Sequence, residues 1–215
     1  MDPAQVLKDF KPTKEFFVGI DSDGCVFDSM NIKHKECFAP MFIKHFGLQP
    51  VSQYARETWD FVNLHSKTRG ANRFPALSRV LNLLREHPQV KARKMRIPDS
   101  AAVDDWTKRE SKLGNATLAA EVARGNTDLA RVKVWSDAVN QAIADTVKGV
   151  PPFPWVQESL AKINRFADAM VISQTPGDAL QREWSEHGME RRVKLIAGQE
   201  MGTKTEHLKF AAAGK

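Results

Sequence analysis

Three short apolar runs limit what this chain can fold into: Phe16 to Ile20, Ala169 to Ile172 and Val193 to Ala197. Each is compact, rich in β-branched residues and followed by polar or glycine residues, the pattern of a buried parallel strand. Nearly 150 residues separate the first run from the second, and that interval is patterned for helix throughout. Helices are expected over Ile32–Phe46, Ser52–His65, Pro75–Glu86, Ala101–Ser111, Asp128–Val147 and Trp155–Phe166. Breakers such as Gly47, Pro50, Gly70, Pro88, Pro98, Gly125 and the stretch Pro151 to Pro154 separate them. The expected architecture is therefore an α/β core with a parallel sheet, built from residues 1–30 and 151–215, into which an all-α domain of residues 31–150 is inserted.

The last section alternates strand, helix, strand and helix. Thr175 is a good N-cap, with Pro176 at the first helical position and Asp178 at the third, and Gly188 can close that helix. Thr203 and Glu206 have capping-box spacing. The polar clusters before both helices should fall at the carboxyl edge of the sheet, beside helix N-termini that attract anions.

Composition narrows the class of function. With 42% hydrophobic and 27% charged residues and a mean hydropathy of −0.42, the chain can build a core and has no apolar run of the roughly 20 residues that span a bilayer. Its N-terminus lacks the basic-then-apolar order of a secretory signal, and its two cysteines, Cys25 and Cys37, cannot form a disulfide framework. A cytoplasmic location is expected, without membrane partners. The net charge of +6 comes from 32 basic and 26 acidic residues interleaved along the chain. Only Lys91 to Arg96 is a compact basic run, and no aromatic residue interrupts it, so a solvated loop is favoured over a nucleic-acid patch. Positive charge suits a small phosphorylated molecule as well.

Chemistry concentrates in Phe16 to Asp28, where Asp21 and Asp23 stand two residues apart at a strand end and Gly24 follows. Paired carboxylates in this setting can bind a hard cation and present one oxygen as a nucleophile. The same residues also read as an Asp- and Gly-rich turn. Met170-Val171-Ile172-Ser173 is a second strand ending in a hydroxyl residue, and Gly202-Thr203-Lys204 puts a lysine at a helix start.

With these three segments in this order, the chain resembles the haloacid dehalogenase superfamily over roughly residues 12–30 and 165–215, with the helices between them in the place of a cap domain. The resemblance implies a Rossmann-like core and a Mg²⁺-dependent phosphatase. Asp21 would attack phosphorus and form an aspartyl-phosphate, while Asp23 would protonate the leaving alcohol and then deprotonate the attacking water. Mg²⁺ would be held by the Asp21 carboxylate and the Asp23 carbonyl. Ser173 would hydrogen-bond a phosphoryl oxygen, with Gly24 and Thr175 beside it, and Lys204 would neutralise charge on the phosphoryl group and on Asp21. Lys209 competes for that role but sits more than a turn into the helix. An acid at Asp23 favours phosphate-ester hydrolysis over dehalogenation, because a halide needs no proton. Phosphomutase chemistry is the minor alternative.

Substrate choice should lie in the insertion. Asn63 to Phe74 places Arg69, Asn72 and Arg73 around a glycine turn, chemistry suited to an anionic or polyhydroxylated ligand, although a polar loop between helices reads there too. His34 and Lys35 are further candidates on the first inserted helix. Trp59, Trp106, Trp135 and Trp155 are expected in the core of the insertion, and Cys25 is expected to pack.

The superfamily's fourth motif, an acidic pair after a further strand, has no counterpart before Lys215. That leaves three readings. The chain is a piece of a longer phosphatase whose C-terminal segment completes the sheet; a second copy or another chain completes it as an oligomer; or the protein is a non-catalytic module that binds a phospho-ligand or a protein. The piece is the favoured expectation, and an open edge on Phe16 to Ile20 would follow from it.

Overall fold

The computed structural model describes residues 2–213 and divides into two compact units, one holding residues up to Met30 together with Lys148 onward, the other Asn31–Val147. Ala213-Gly214-Lys215, which reads in the sequence as a helix stop, lies mostly outside the described residues. Among the described residues no helix is long and apolar enough to cross a membrane.

The first unit is mixed α/β. Helix α1 (Gln5–Lys8) precedes β1 (Phe16–Ile20), and after the insertion come α10 (Val156–Ile163), β2 (Ala167–Ile172), α11 (Gly177–Glu186), β3 (Leu195–Ala197) and α12 (Lys204–Ala211). The three strands form one parallel sheet in the order β1-β2-β3, with Val18 opposite Ala169 and Val171 opposite Ile196. The central strand β2 is buried along its whole length, and its alternate residues serve two cores. Val171 packs with Phe27, Leu160, Leu180 and Trp184, while Met170 packs with Leu7 and Ala211. β1 departs from the expected buried strand. It is an edge, and its first residue, Phe16, is 54% exposed.

Two helix starts show how local chemistry competes. At α12 the expected capping box forms, with Thr203 N–H donating to Glu206 Oε2 at 2.7 Å and Glu206 N–H to Thr203 Oγ1 at 3.2 Å. At α11 the expected cap does not form. Thr175 is drawn into the turn after β2, so the helix begins at Gly177 with Pro176 at its N-cap. The loops after β2 and β3 meet so closely that a side chain on Gly198 would lie 2.6 Å from the backbone nitrogen of Gly177, which leaves room for glycine alone.

The second unit is all helix: α2 (Met30–Ile32), which starts at the unit boundary, α3 (Ala39–Phe46), α4 (Ser52–Asp60), α5 (Arg73–Glu86), α6 (Pro88–Ala92), α7 (Ala101–Arg109), α8 (Asn115–Ala123) and α9 (Ala130–Thr146). Lys33–Phe38 and Phe61–His65 are π-helical, so the two long helices expected here are each interrupted by a wider turn. Trp59, Trp106 and Trp135 are fully buried in its core, as expected. Trp155 is not. It belongs to the α/β unit, is 75% exposed and takes a left-handed backbone conformation just before α10.

His207 on α12 is fully buried, and neither ring nitrogen has a hydrogen-bond partner. Burial pushes its pKa down, Glu206 opposes that shift and Lys204 adds to it. The folded state therefore disfavours the proton that the unfolded chain takes up near pH 6.5. Stability should be full above that pH and fall as pH drops through it, by up to about 1.4 kcal/mol per pH unit for one proton. His45, also shifted down by burial, adds to the same window. Urea midpoints at pH 7.0 and 5.5 should differ in the natural protein, and His207→Leu should narrow the gap. An unchanged gap would place the titration elsewhere.

Candidate active site

β1 ends where the chain must turn sharply. The carbonyl of Ser22 accepts from the backbone N–H groups of Cys25, Val26 and Phe27, and Gly24 N–H donates to Phe27 O at 2.8 Å. Gly24 takes φ +71° inside this turn, a conformation that favours glycine. Ser22 is fully buried and anchors the turn from below. Its hydroxyl accepts from Trp184 Nε1 at 3.1 Å and donates to Glu183 Oε2 at 3.1 Å. The flanking residues Asp21 and Asp23 are thereby presented at the carboxyl edge of the sheet.

Asp21 meets Lys204. Lys204 Nζ lies 2.7 Å from Asp21 Oδ2, and Ser22 N–H donates to Asp21 Oδ1 at 3.0 Å. Both charged side chains are about 40% exposed, at 40% and 41%, so the pair adds little to stability, about 0–1 kcal/mol. A lysine in the first turn of a helix also opposes the helix dipole. Position therefore matters more here than stability: a half-exposed cation is held against a carboxylate whose sequence neighbours are fixed. Of the two lysines considered, Lys204 makes this contact, from the first residue of α12.

Asp23 is held by two hydroxyls. Thr175 Oγ1 donates to its Oδ2 at 2.8 Å, and Ser29 Oγ makes a short hydrogen bond to its Oδ1. Ser173 is buried; its Oγ accepts from Thr175 N–H at 3.2 Å and its N–H extends the ladder to Ala197 O at 3.0 Å. Two bonded groups, Asp21 with Lys204 and Asp23 with Thr175 and Ser173, are thus joined through the turn that holds Gly24, and they draw on three distant stretches of sequence. Ser29 and the Glu183–Trp184 pair belong there too and were not anticipated. Ser29 had a signal, being a short hydroxyl residue six positions after Asp23, just beyond the turn. The Trp184 contact had none, since it depends on how α11 packs. Cys25, expected to pack, is instead exposed at the turn.

The cation implied by the resemblance needs hard oxygen donors. Asp21 supplies a half-exposed carboxylate and Asp23 a backbone carbonyl. Among the described residues no group of three or more His, Cys, Asp or Glu side chains gathers to hold a metal. Two such donors are too few to cage a cation, and a hard ion held there would keep several waters and share oxygens with a ligand, as Mg²⁺ does.

In the inserted unit, Arg69 lies exposed in the turn that follows Ser66. Asn72 is spent structurally: its Oδ1 caps α5 by accepting from Phe74 N–H at 3.0 Å, and its Nδ2 donates to Leu113 O at 3.1 Å. Arg73 does not join the loop at all. It is the first residue of α5 and is half-buried against α9, with Nη1 2.7 Å from Asn140 Oδ1. His34 is stacked on Phe38 and accepts from Trp59 Nε1 at 3.1 Å, which makes its ring part of the aromatic core there. Comparisons with family models, with curated proteins and with solved structures give no match for this chain.

Proposed function

We propose that the protein is a Mg²⁺-dependent phosphate-ester hydrolase of the haloacid dehalogenase type, with a Rossmann-like core and a helical cap, acting in the cytoplasm on a small phosphorylated metabolite. The observation that carries this reading is the 2.7 Å contact of Lys204 with Asp21 beside an Asp23 held by two hydroxyls. A cation against a nucleophilic carboxylate, a second carboxylate two residues on and hydroxyl donors at a sheet edge are what phosphoryl transfer uses, since that chemistry is mostly positioning and electrostatics.

In the first step an Asp21 carboxylate oxygen bonds to phosphorus while the ester P–O bond breaks, and Asp23 gives its proton to the departing oxygen. In the second step water bonds to phosphorus, its proton returns to Asp23, and the bond from phosphorus to Asp21 breaks to release phosphate. Lys204 draws negative charge away from Asp21 and the phosphoryl oxygens, and Ser173, whose oxygen accepts from Thr175 N–H, keeps its own proton to donate. Asp21 and the Asp23 carbonyl would hold Mg²⁺. When bound, the ion supplies screening between the carboxylate and the incoming phosphate.

Hydrolysis of an aryl phosphate with Mg²⁺ tests the reading. Lys204→Ala should lower kcat/KM by on the order of 10²-fold, the scale for losing one preorganised charge in such a site. Beryllium fluoride should raise the melting temperature of the natural protein but not of Asp21→Asn. Phosphate binding without turnover, and without a beryllium fluoride response, would overturn hydrolysis in favour of a non-catalytic binding module.

A further inference from the structure

Arg73 is electrostatically misplaced in three ways. It is the first residue of the 14-residue helix α5, where the helix dipole is positive. It is half-buried, and burial pulls its guanidinium down to about 10. It also has no salt bridge: Asp137, the acid that acts on its charge, gives one oxygen to Asn115 Nδ2 at 2.8 Å and the other to Lys133 Nζ at 2.6 Å. Its hydrogen bonds all leave from Nη1 to neutral acceptors, Asn140 Oδ1 at 2.7 Å, Ser136 Oγ at 3.2 Å and Ser136 O at 3.5 Å. The guanidinium lies over the Phe38 ring, with Cζ 5.0 Å from its centroid. Stacking and the Nη1 bonds fix the plane of the group, while Nε and Nη2 donate to no described residue.

A half-buried charge with no acid beside it has only water or an anionic ligand to meet its open edge. Here the fold restrains the charge but does not neutralise it. The two unused nitrogens form the side edge of the guanidinium fork, whose parallel N–H groups match two oxygens of a carboxylate or phosphate. We infer that Arg73, clamped by Phe38, Asn140 and Ser136, is an oxyanion receptor in the helical unit, accepting a carboxylate or phosphate group of a small ligand through Nε and Nη2. The site stands without the phosphatase reading.

The test is therefore made on the full chain carrying Lys204→Ala, which removes the cation at the sheet edge. Inorganic phosphate and malonate are titrated by calorimetry. At least one should bind, and Arg73→Gln, which keeps a donor for Asn140 but loses the charge, should weaken binding at least tenfold. Arg73→Gln alone should melt no earlier than the natural protein, because it removes an uncompensated charge; a purely structural arginine would give early melting and unchanged affinity. If Arg73→Gln folds poorly, Arg73→Lys decides. A restored fold with weakened binding supports the fork, and binding restored in full overturns it. No binding of either anion, or affinity within twofold in Arg73→Gln, also overturns the site. Either failure leaves the phosphatase reading intact, whereas absent hydrolysis with intact binding does the reverse.

Discussion

Asp21→Asn is expected to lower kcat/KM for an aryl phosphate by on the order of 10⁴-fold, the scale seen when a covalent nucleophile is removed from an otherwise intact site. The substitution keeps the shape of the side chain and an oxygen to accept from Ser22 N–H. It removes only the charge that meets Lys204 and the oxygen that would attack phosphorus. Because that ion pair is half exposed, the melting temperature should hardly change, so lost activity would report chemistry and not folding. Asp23→Asn should behave differently. It spares the nucleophile but cannot give a proton, so it should cost about 10²- to 10⁴-fold with an alkyl phosphate and much less with an aryl phosphate whose leaving group departs unaided. Equal losses on both substrates would remove Asp23 from the acid role, and full activity in Asp21→Asn would remove the mechanism altogether.

What the chain disclosed beforehand follows from the range of the interactions involved. β1 was legible to the residue because Phe16 to Ile20 is an uninterrupted apolar run with polar neighbours on both sides. β2 begins two residues earlier than expected, at Ala167, since Asp168 breaks the apolar pattern even though it is buried. β3 shrinks to Leu195–Ala197. Helix α8 was not anticipated, because Asn115 to Ala123 offers four alanines and only Leu118 and Val122 as larger apolar residues to set a period. The capping box at Thr203 is local and was readable; Thr175 has the same local preference but is diverted by Asp23, 152 residues away in sequence. Arg73 shows the same limit. A glycine turn flanked by two arginines suggests a loop that binds anions, yet Arg73 turns inward to Ser136 and Asn140 of α9 while Arg69 stays outside. Types of residue were legible, and so, through the resemblance, was the pairing of Lys204 with Asp21; the partners of Thr175, Asn72 and Arg73 were not, because they are fixed by packing between distant segments.

Asp168→Ala should cost about 4 kcal/mol of stability, the largest loss expected from a single polar residue here. Asp168 sits on β2, opposite Phe17 of the edge strand, and its side chain is fully buried. Its Oδ2 accepts from Thr13 N–H at 2.7 Å and Lys14 N–H at 3.0 Å, and its Oδ1 from Thr13 Oγ1 at 2.6 Å. Hydrogen bonds to an ionised group contribute about 1.5–3 kcal/mol each and are not additive, and removing the acceptor also strands two backbone donors. The carboxylate thus ties the segment before β1 to the central strand, at what is the sheet's edge among the described residues. Asp168→Asn keeps one acceptor oxygen and should lose about half as much, and Thr13→Val, which removes only the hydroxyl bond, about 1 kcal/mol. Urea denaturation with an unchanged m-value is the measurement. Activity per folded molecule should survive all three changes, because Asp168 lies at the start of the strand pairing and Asp21 beyond its end. A loss under 1 kcal/mol in Asp168→Ala would mean that β1 is held by its ladder to β2 alone.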